Sequence, residues 1–291
     1  GEHGYGEAML IGRLGDHRLI ECSGMDISLT TDGLIWAIND SGQGPYIYAM
    51  GIDGQPRGRL WVAGARNRDW EGIDTFRWQG RPMILIADIG DNRAQHETLT
   101  LYIIEEPTLS GNSSAAPAVV NVAWRILFSY PDRNHDAEGV AVDVNGKKVL
   151  VLTKRDDPPV VFEVPLIQDG SNDRTIAKQV TKVRHIPPPS NEDLTHKYGK
   201  FRSQPTAMDL SADGTQAVVL THKHAYLFKR EPKASWADAL SRPVMEIILP
   251  LPEDREDFSQ REAICFAPGG KDLLVTSEGL GAGIFRLKAR K

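Results

Sequence analysis

The sequence predicts an all-β chain assembled from a repeated unit, and three observations carry that expectation. A short segment of fixed pattern recurs five times, a glycine turn follows each copy, and each turn opens an apolar run of strand-forming residues. The segment reads Ser23-Gly24-Met25-Asp26, Glu71-Gly72-Ile73-Asp74, Glu138-Gly139-Val140-Ala141, Thr206-Ala207-Met208-Asp209 and Glu262-Ala263-Ile264-Cys265. Its second position is always Gly or Ala, and its third is always apolar. The small residues stand 48, 67, 68 and 56 positions apart, a loose period near sixty.

Each element follows from local chemistry. The turns are Asp32-Gly33, Gln79-Gly80, Asn145-Gly146, Asp213-Gly214 and Gly269-Gly270. Glycine accepts a positive φ without steric cost, so such pairs between apolar runs mark hairpins. The second strands are then expected at 34–38, 83–87, 149–153, 217–221 and 273–276. Third strands are expected at 46–50, 99–104, 160–164, 225–229 and 283–287. Four units show a fourth strand, at 59–62, 120–128, 178–185 and 245–249. These runs are rich in Val, Ile, Leu, Tyr and Phe, which suit a pleated surface. The best helix candidate is a short one at 235–241. Surplus residues fall in loops at 109–118 and 187–198, where Ser, Asn, Pro and charge collect.

The fifth unit reaches Lys291 after three strands, while residues 7–14 supply an unassigned strand ahead of the first unit. An outer strand lent by the opposite terminus closes a ring and removes a bare sheet edge. The sequence thus predicts a β-propeller of five four-stranded blades, closed by the N-terminal strand, as one domain over residues 1–291. Six blades are the alternative, with the sixth in the longer spacings.

Composition narrows the function classes. The 291 residues are 41% apolar and 25% charged, an ordinary globular balance, and the net charge of −5 disfavours a nucleic-acid binder. No apolar run approaches the length of a membrane-spanning helix. Two cysteines, Cys22 and Cys265, exclude a disulfide scaffold and a cysteine zinc site, and their stagger disfavours pairing with each other. The opening Gly1-Glu2-His3-Gly4-Tyr5-Gly6 has neither Met nor an apolar signal core and reads as a trimmed or mature N-terminus.

In an antiparallel blade, the loop into strand one and the loop out of strand two lie at the same end. All ten such loops here are polar, whereas the opposite ends are plain glycine turns. The candidate binding residues are therefore Asn39, Asp40, Arg68, Asp69, Lys154, Arg155, His222 and Arg261. Arg and Lys among them suit an anionic ligand.

Glu71, Glu138 and Glu262 hold one equivalent position in three units, where Ser23 and Thr206 stand in the other two. Three carboxylates converging on one axis repel, and a hard cation such as Ca²⁺ or Mg²⁺ relieves that repulsion. Asp88 and Asp91, in Asp88-Ile89-Gly90-Asp91-Asn92, are candidate additional ligands, although the same residue types also build tight turns. The competing reading has the three glutamates accept backbone N–H bonds from the next blade. His135 beside Asp136, and His222 with His224 on one strand face, are weaker candidates for a base or a zinc site. No G-x-S-x-G setting supports a serine nucleophile.

The runs Leu34-Ile35-Trp36-Ala37-Ile38-Asn39-Asp40-Ser41-Gly42, Asn67-Arg68-Asp69-Trp70-Glu71-Gly72-Ile73, Ala87-Asp88-Ile89-Gly90-Asp91-Asn92 and His135-Asp136-Ala137-Glu138-Gly139-Val140 resemble a family of uncharacterised bacterial exported propeller proteins. That family is distantly akin to phytase-like, NHL and regucalcin-like propellers. The resemblance covers about residues 20–160. It implies a propeller, a periplasmic or secreted setting, and a metal or ligand site on the channel face, without an established reaction. The family more often has six blades.

The expected function is a monomeric propeller that binds a small or anionic ligand on its channel face with a Ca²⁺ or Mg²⁺ ion, without an organic cofactor. A metal-dependent hydrolase of phosphoesters or lactones is the alternative, and a protein-interaction scaffold is a third. Sequence alone does not decide whether the chain is an enzyme.

Overall fold

The computed structural model describes residues 4–109, 118–168 and 172–291. The chain is all-β and propeller-like, with one short α-helix among the described residues, α1 (Trp236–Leu240), at the position expected. No helix among the described residues is long and apolar enough to cross a membrane.

The first unit runs β2 (Cys22–Ile27), β3 (Leu34–Asn39), β4 (Tyr46–Gly51) and β5 (Pro56–Ala63). The second is β6 (Trp70–Trp78), β7 (Arg81–Asp88), β8 (Leu99–Glu105) and β9 (Ala118–Ser129). The third is β10 (Ala137–Asp143), β11 (Lys148–Thr153), β12 (Val160–Pro165) and β14 (Lys178–Lys182), interrupted by β13 (Arg174–Ile176). The fourth is β15 (Pro205–Leu210), β16 (Gln216–Thr221), β17 (Ala225–Lys229) and β18 (Met245–Ile247). The last is β19 (Arg261–Phe266), β20 (Leu273–Ser277) and β21 (Gly283–Leu287), completed by β1 (Met9–Arg13).

Within each unit the strands pair antiparallel in chain order, and β1 pairs with β21 through Met9↔Arg286 and Arg13↔Gly283. Two pairings were not legible in the sequence. The outer strands β5 and β9 pair in parallel, joining the first two units into one nine-stranded sheet, and β13 adds in parallel to β9. The fourth strand expected at 178–185 ends at Lys182. The loop expected at 109–118 falls almost wholly outside the described residues.

The first strands pack side by side in the cyclic order β2, β6, β10, β15, β19 and back to β2. Their small second residues allow this approach. A Cβ on Gly72 would lie 2.3 Å from Val140 Cγ1 in the next unit. Apolar clusters fill the seams between units, for example Trp36, Ile47, Ile73 and Ile84 between the first and second. Cys22 and Cys265 are free, buried thiols.

Candidate functional site at the channel mouth

Backbone bonds fix which loop residues are equivalent. The N–H of Asp40 donates to Glu21 O (3.0 Å), that of Lys154 to Asp136 O (2.9 Å) and that of Glu278 to Gln260 O (2.9 Å). In the second unit an extra residue shifts this bond to Gly90, which donates to Asp69 O (3.2 Å). His222 takes the same place in the fourth unit, directly after Thr221, which pairs with Pro205. A Cβ on Gly90 would lie 2.2 Å from the Asp69 carboxylate, so the glycine leaves room for that side chain. An outer ring of Asp40, Asp69, Lys154, His222 and Glu278 results.

The repeat position that begins each segment forms an inner ring. Ser23 Oγ donates to Trp70 O (2.6 Å) and Thr206 Oγ1 to Arg261 O (2.9 Å), each across a seam. Glu71, Glu138 and Glu262, all buried, bring ligand oxygens within 4.8 Å of one another. Lys154 Nζ donates to Glu138 Oε1 at 2.5 Å, and Glu138 Oε2 has no partner among the described residues. Above the glutamates opens a cavity of about 650 Å³, bordered also by Asp40, Arg155, His222 and Glu278. Met25, Ile73, Val140, Met208 and Ile264, with Glu71 and Glu138, border a separate void of only about 10 Å³.

Burial, then mutual repulsion, governs the charges. Burial and the Glu138 charge push the Glu71 and Glu262 carboxyls well above the ordinary range. Burial also raises Glu138, with Lys154 partly opposing it. Burial disfavours the Lys154 ammonium, but the charges of Glu138 and Glu262 outweigh that and raise its pKa. Asp40 is pushed up to about 8 by burial, by a hydrogen bond shared with Glu21, and by the Glu21 and Glu278 charges. Glu278 is raised by burial and by Glu21. His222 is lowered to about 3 by burial and by Lys154, so its imidazole is neutral at pH 7.

The expected residues separate into two groups. Asp40, Glu71, Glu138, Lys154, Arg155, His222 and Glu262 meet around the cavity, and Asp69 adjoins Glu71. Asp88 and Asp91 do not join the three glutamates. Asp88 accepts the N–H groups of Arg68 (3.1 Å) and Asp69 (2.9 Å). Asp91 accepts those of Gln95 and His96, both at 2.8 Å. Both serve as turn-builders, and their oxygens are already engaged. Asn39 is likewise structural, accepting Glu21 N and donating to Arg18 O.

The cations expected to hold an anion are mostly engaged elsewhere. Arg261 is fully buried and donates to the carbonyls of Lys223, Pro250 and Phe258; burial, then the Arg202 charge, lowers its pKa to about 9. Arg68 donates to Thr98 O. Arg155 bonds Asp136 and Asn92. His135 is held between Asp132 and Asp156. His222 and His224 lie in the turn between β16 and β17 rather than on a strand face; His224 Nδ1 accepts Leu249 N.

Three contributors escaped the sequence reading. Glu21 and Glu278 were visible only as polar loop residues. A second buried carboxylate trio, Asp26, Asp74 and Asp209, likewise brings its oxygens within 4.8 Å of one another. It is these aspartates, rather than the glutamates, that bond backbone N–H groups of the next unit: Asp26 to Thr75 (2.8 Å), Asp74 to Val142 (2.6 Å) and Asp209 to Phe266 (2.8 Å).

No family model matches the chain, and no curated protein does. Similar solved structures include a nidogen/laminin complex, at 13% identity over 88% of this chain and 72% of that one, with a TM-score of 0.46. The RRP9 WD40 repeats follow at 10% identity, 92% and 67% coverage and a TM-score of 0.42. Kuenenia stuttgartiensis hydrazine synthase matches at 10% identity, 88% and 68% coverage and a TM-score of 0.41.

Proposed function

We propose that the chain is a five-bladed propeller that binds a small ligand at its channel mouth, where Glu71, Glu138 and Glu262 hold a divalent cation. The cyclic order of β2, β6, β10, β15 and β19, each heading one four-stranded unit, supports the blade count. The family resemblance supports an exported, periplasmic or secreted setting.

The observation that carries the ion is the glutamate trio with its unpartnered Glu138 Oε2. A buried acceptor without a partner costs free energy on the order of 1–3 kcal/mol. With all three carboxylates ionised, Lys154 neutralises one and leaves two negative charges, which a divalent ion balances. Carboxylate oxygens this close to one another suit a hard divalent ion, Ca²⁺ or Mg²⁺. The test is a thermal melt with millimolar Ca²⁺ against chelator, in wild type and in Glu138→Gln. Mass action predicts stabilisation of about 2.7 kcal/mol at a hundred times the dissociation constant. Ca²⁺ raises the wild-type melting temperature and raises that of the variant less; identical melts would contradict the ion.

A second reading, metal-dependent hydrolysis of phosphoesters or lactones, is favoured by His222, whose neutral imidazole borders the same cavity. A neutral imidazole can accept a hydrogen bond from a bound substrate or donate one to it, although a pKa near 3 makes it a weak base. Turnover of phosphomonoesters, phosphodiesters or lactones with added Ca²⁺, Mg²⁺ or Mn²⁺, abolished in Glu71→Ala, would support it. Absence of turnover above that variant would remove it.

A further inference from the structure

We propose that Arg261 and Ser277 hold a small monovalent anion, a halide such as chloride, inside the seam between the fourth and last units. The site is separate from the glutamate trio and does not depend on the cation proposed there.

Comparison of the five repeats singles out this pair. In each unit the first residue of strand one stands opposite the last residue of strand two: Cys22↔Asn39, Trp70↔Asp88, Ala137↔Thr153, Pro205↔Thr221 and Arg261↔Ser277. Four of the second residues tie down a neighbouring loop. Asn39 accepts Glu21 N (3.0 Å), Asp88 accepts Asp69 N (2.9 Å), Thr153 accepts Val160 N (2.9 Å) and Thr221 accepts His224 N (3.1 Å). Ser277 Oγ has no partner among the described residues, although the residue is fully buried. The first residue is uncharged in every unit except the last, where it is Arg261.

Arg261 is a buried cation without a counter-charge. Nη1 donates to Lys223 O (2.7 Å) and Pro250 O (2.6 Å), and Nη2 donates to Phe258 O (2.8 Å). These acceptors are neutral carbonyls. Nε has no partner among the described residues, and the Phe258 ring covers the guanidinium at 4.4 Å. The Glu253 carboxylate acts on Arg261 only at a distance, because Arg202 binds it. Burial, then repulsion from Arg202, lowers the Arg261 pKa to about 9, which fits a cation short of a counter-ion. Burying a charge is costly unless it is paired and hydrogen-bonded.

The two unbonded groups lie together. Residues directly opposite in an antiparallel pair put their side chains on one side of the sheet, with Cβ atoms about 5 Å apart. The Arg261 Nε–H and the Ser277 hydroxyl are both donors, so one acceptor can serve the two. A water molecule would take both bonds and leave the charge unbalanced, whereas a halide ion takes both bonds and balances it. Neither side chain borders the cavity at the channel mouth, so the occupant is a small, enclosed ion rather than an organic anion.

The test combines anomalous diffraction from bromide-soaked crystals with thermal melts in sodium chloride and in sodium methanesulfonate at equal ionic strength. A bromide peak is expected within hydrogen-bond reach of Arg261 Nε and Ser277 Oγ, and chloride raises the wild-type melting temperature above its value in methanesulfonate. Ser277→Ala keeps the fold, because the hydroxyl holds no structural bond, and it raises the chloride concentration for the half-maximal rise about tenfold. Bromide peaks elsewhere with none at this pair, a water molecule in that place, coincident wild-type melts in the two salts, or equal chloride responses in wild type and Ser277→Ala would each overturn the site.

Discussion

The carboxylate of Asp74 accepts the backbone N–H of Val142 at 2.6 Å, across the seam between two repeat units. Asp26 and Asp209 make the same bond to Thr75 and Phe266, each at the residue just past the equivalent position in the next unit. Ala141 and Cys265 stand at that position in the other two units and offer no carboxylate. Where Cys265 cannot reach the first unit, Asp26 Oδ1 accepts the N–H of its own neighbour Ile27 (2.8 Å). One residue type at one repeat position thus ties neighbouring units together through their buried backbone.

Asp74→Ala removes the acceptor and leaves the buried Val142 N–H unpaired, a loss of about 1–3 kcal/mol. Asp74→Asn keeps an oxygen acceptor and removes a charge beside Asp26 and Asp209, so it costs less. Urea denaturation of the two variants checks the order. An equal loss in both would show that the hydrogen bond is not the stabilising element.

The same trio sets an alkaline limit. Burial, and then mutual repulsion, holds the Asp74 and Asp209 carboxyls well above the ordinary range, and burial raises Asp26. A carboxyl whose folded pKa exceeds its unfolded value gives its full stabilisation below about pH 4, and loses it as pH rises through the folded value. As pH rises above about 4, wild type should therefore lose melting temperature more steeply than Asp74→Asn does. Parallel pH profiles would contradict this assignment.

Close approach of the first strands depends on Gly72. An added Cβ there meets Val140 Cγ1 at 2.3 Å and Val140 Cβ at 3.3 Å, and a buried β-branched side chain has little freedom to turn away. Gly72→Ala is expected to cost about 1–3 kcal/mol by overpacking. Shortening the neighbour in Gly72→Ala/Val140→Ala should recover part of that loss, as a double-mutant cycle would reveal. A cycle with no coupling would place the strain elsewhere.

Closure of the ring rests on β1. Removing residues 1–15 strips the partner from β21 and leaves that strand as a bare edge beside Ile284 and Phe285. The truncated chain should melt lower and aggregate on concentration. An unchanged melting temperature would mean that β1 contributes nothing to closure.

Much of this arrangement is legible in the chain because the repeat marks register. Glu71, Glu138 and Glu262 share one place before a small residue, and the same register brings them together. Arg261 sits one residue before Glu262, and successive side chains on a strand point to opposite sides, so it turns into the seam while Glu262 faces the channel. Asp88 and Asp91 mislead because turn-building and metal ligation use the same residue types, and here the nearby N–H groups take their oxygens. The β5–β9 pairing escapes local reading altogether. Two outer strands from different units meet there in parallel, through Ala118–Asn121 of β9, ahead of the stretch from Val122 that pairs with β8.

The most direct measurement of the central claim is anomalous diffraction from crystals soaked in Mn²⁺ or Ca²⁺. The account predicts an anomalous peak bounded by Glu71, Glu138 and Glu262, with Glu138 Oε2 in the coordination shell, and loss of that peak in Glu138→Gln crystals. The contradicting result is a metal-soaked crystal with no peak there and Lys154 Nζ still seated on Glu138, which would leave the lysine as the only cation that the three glutamates hold.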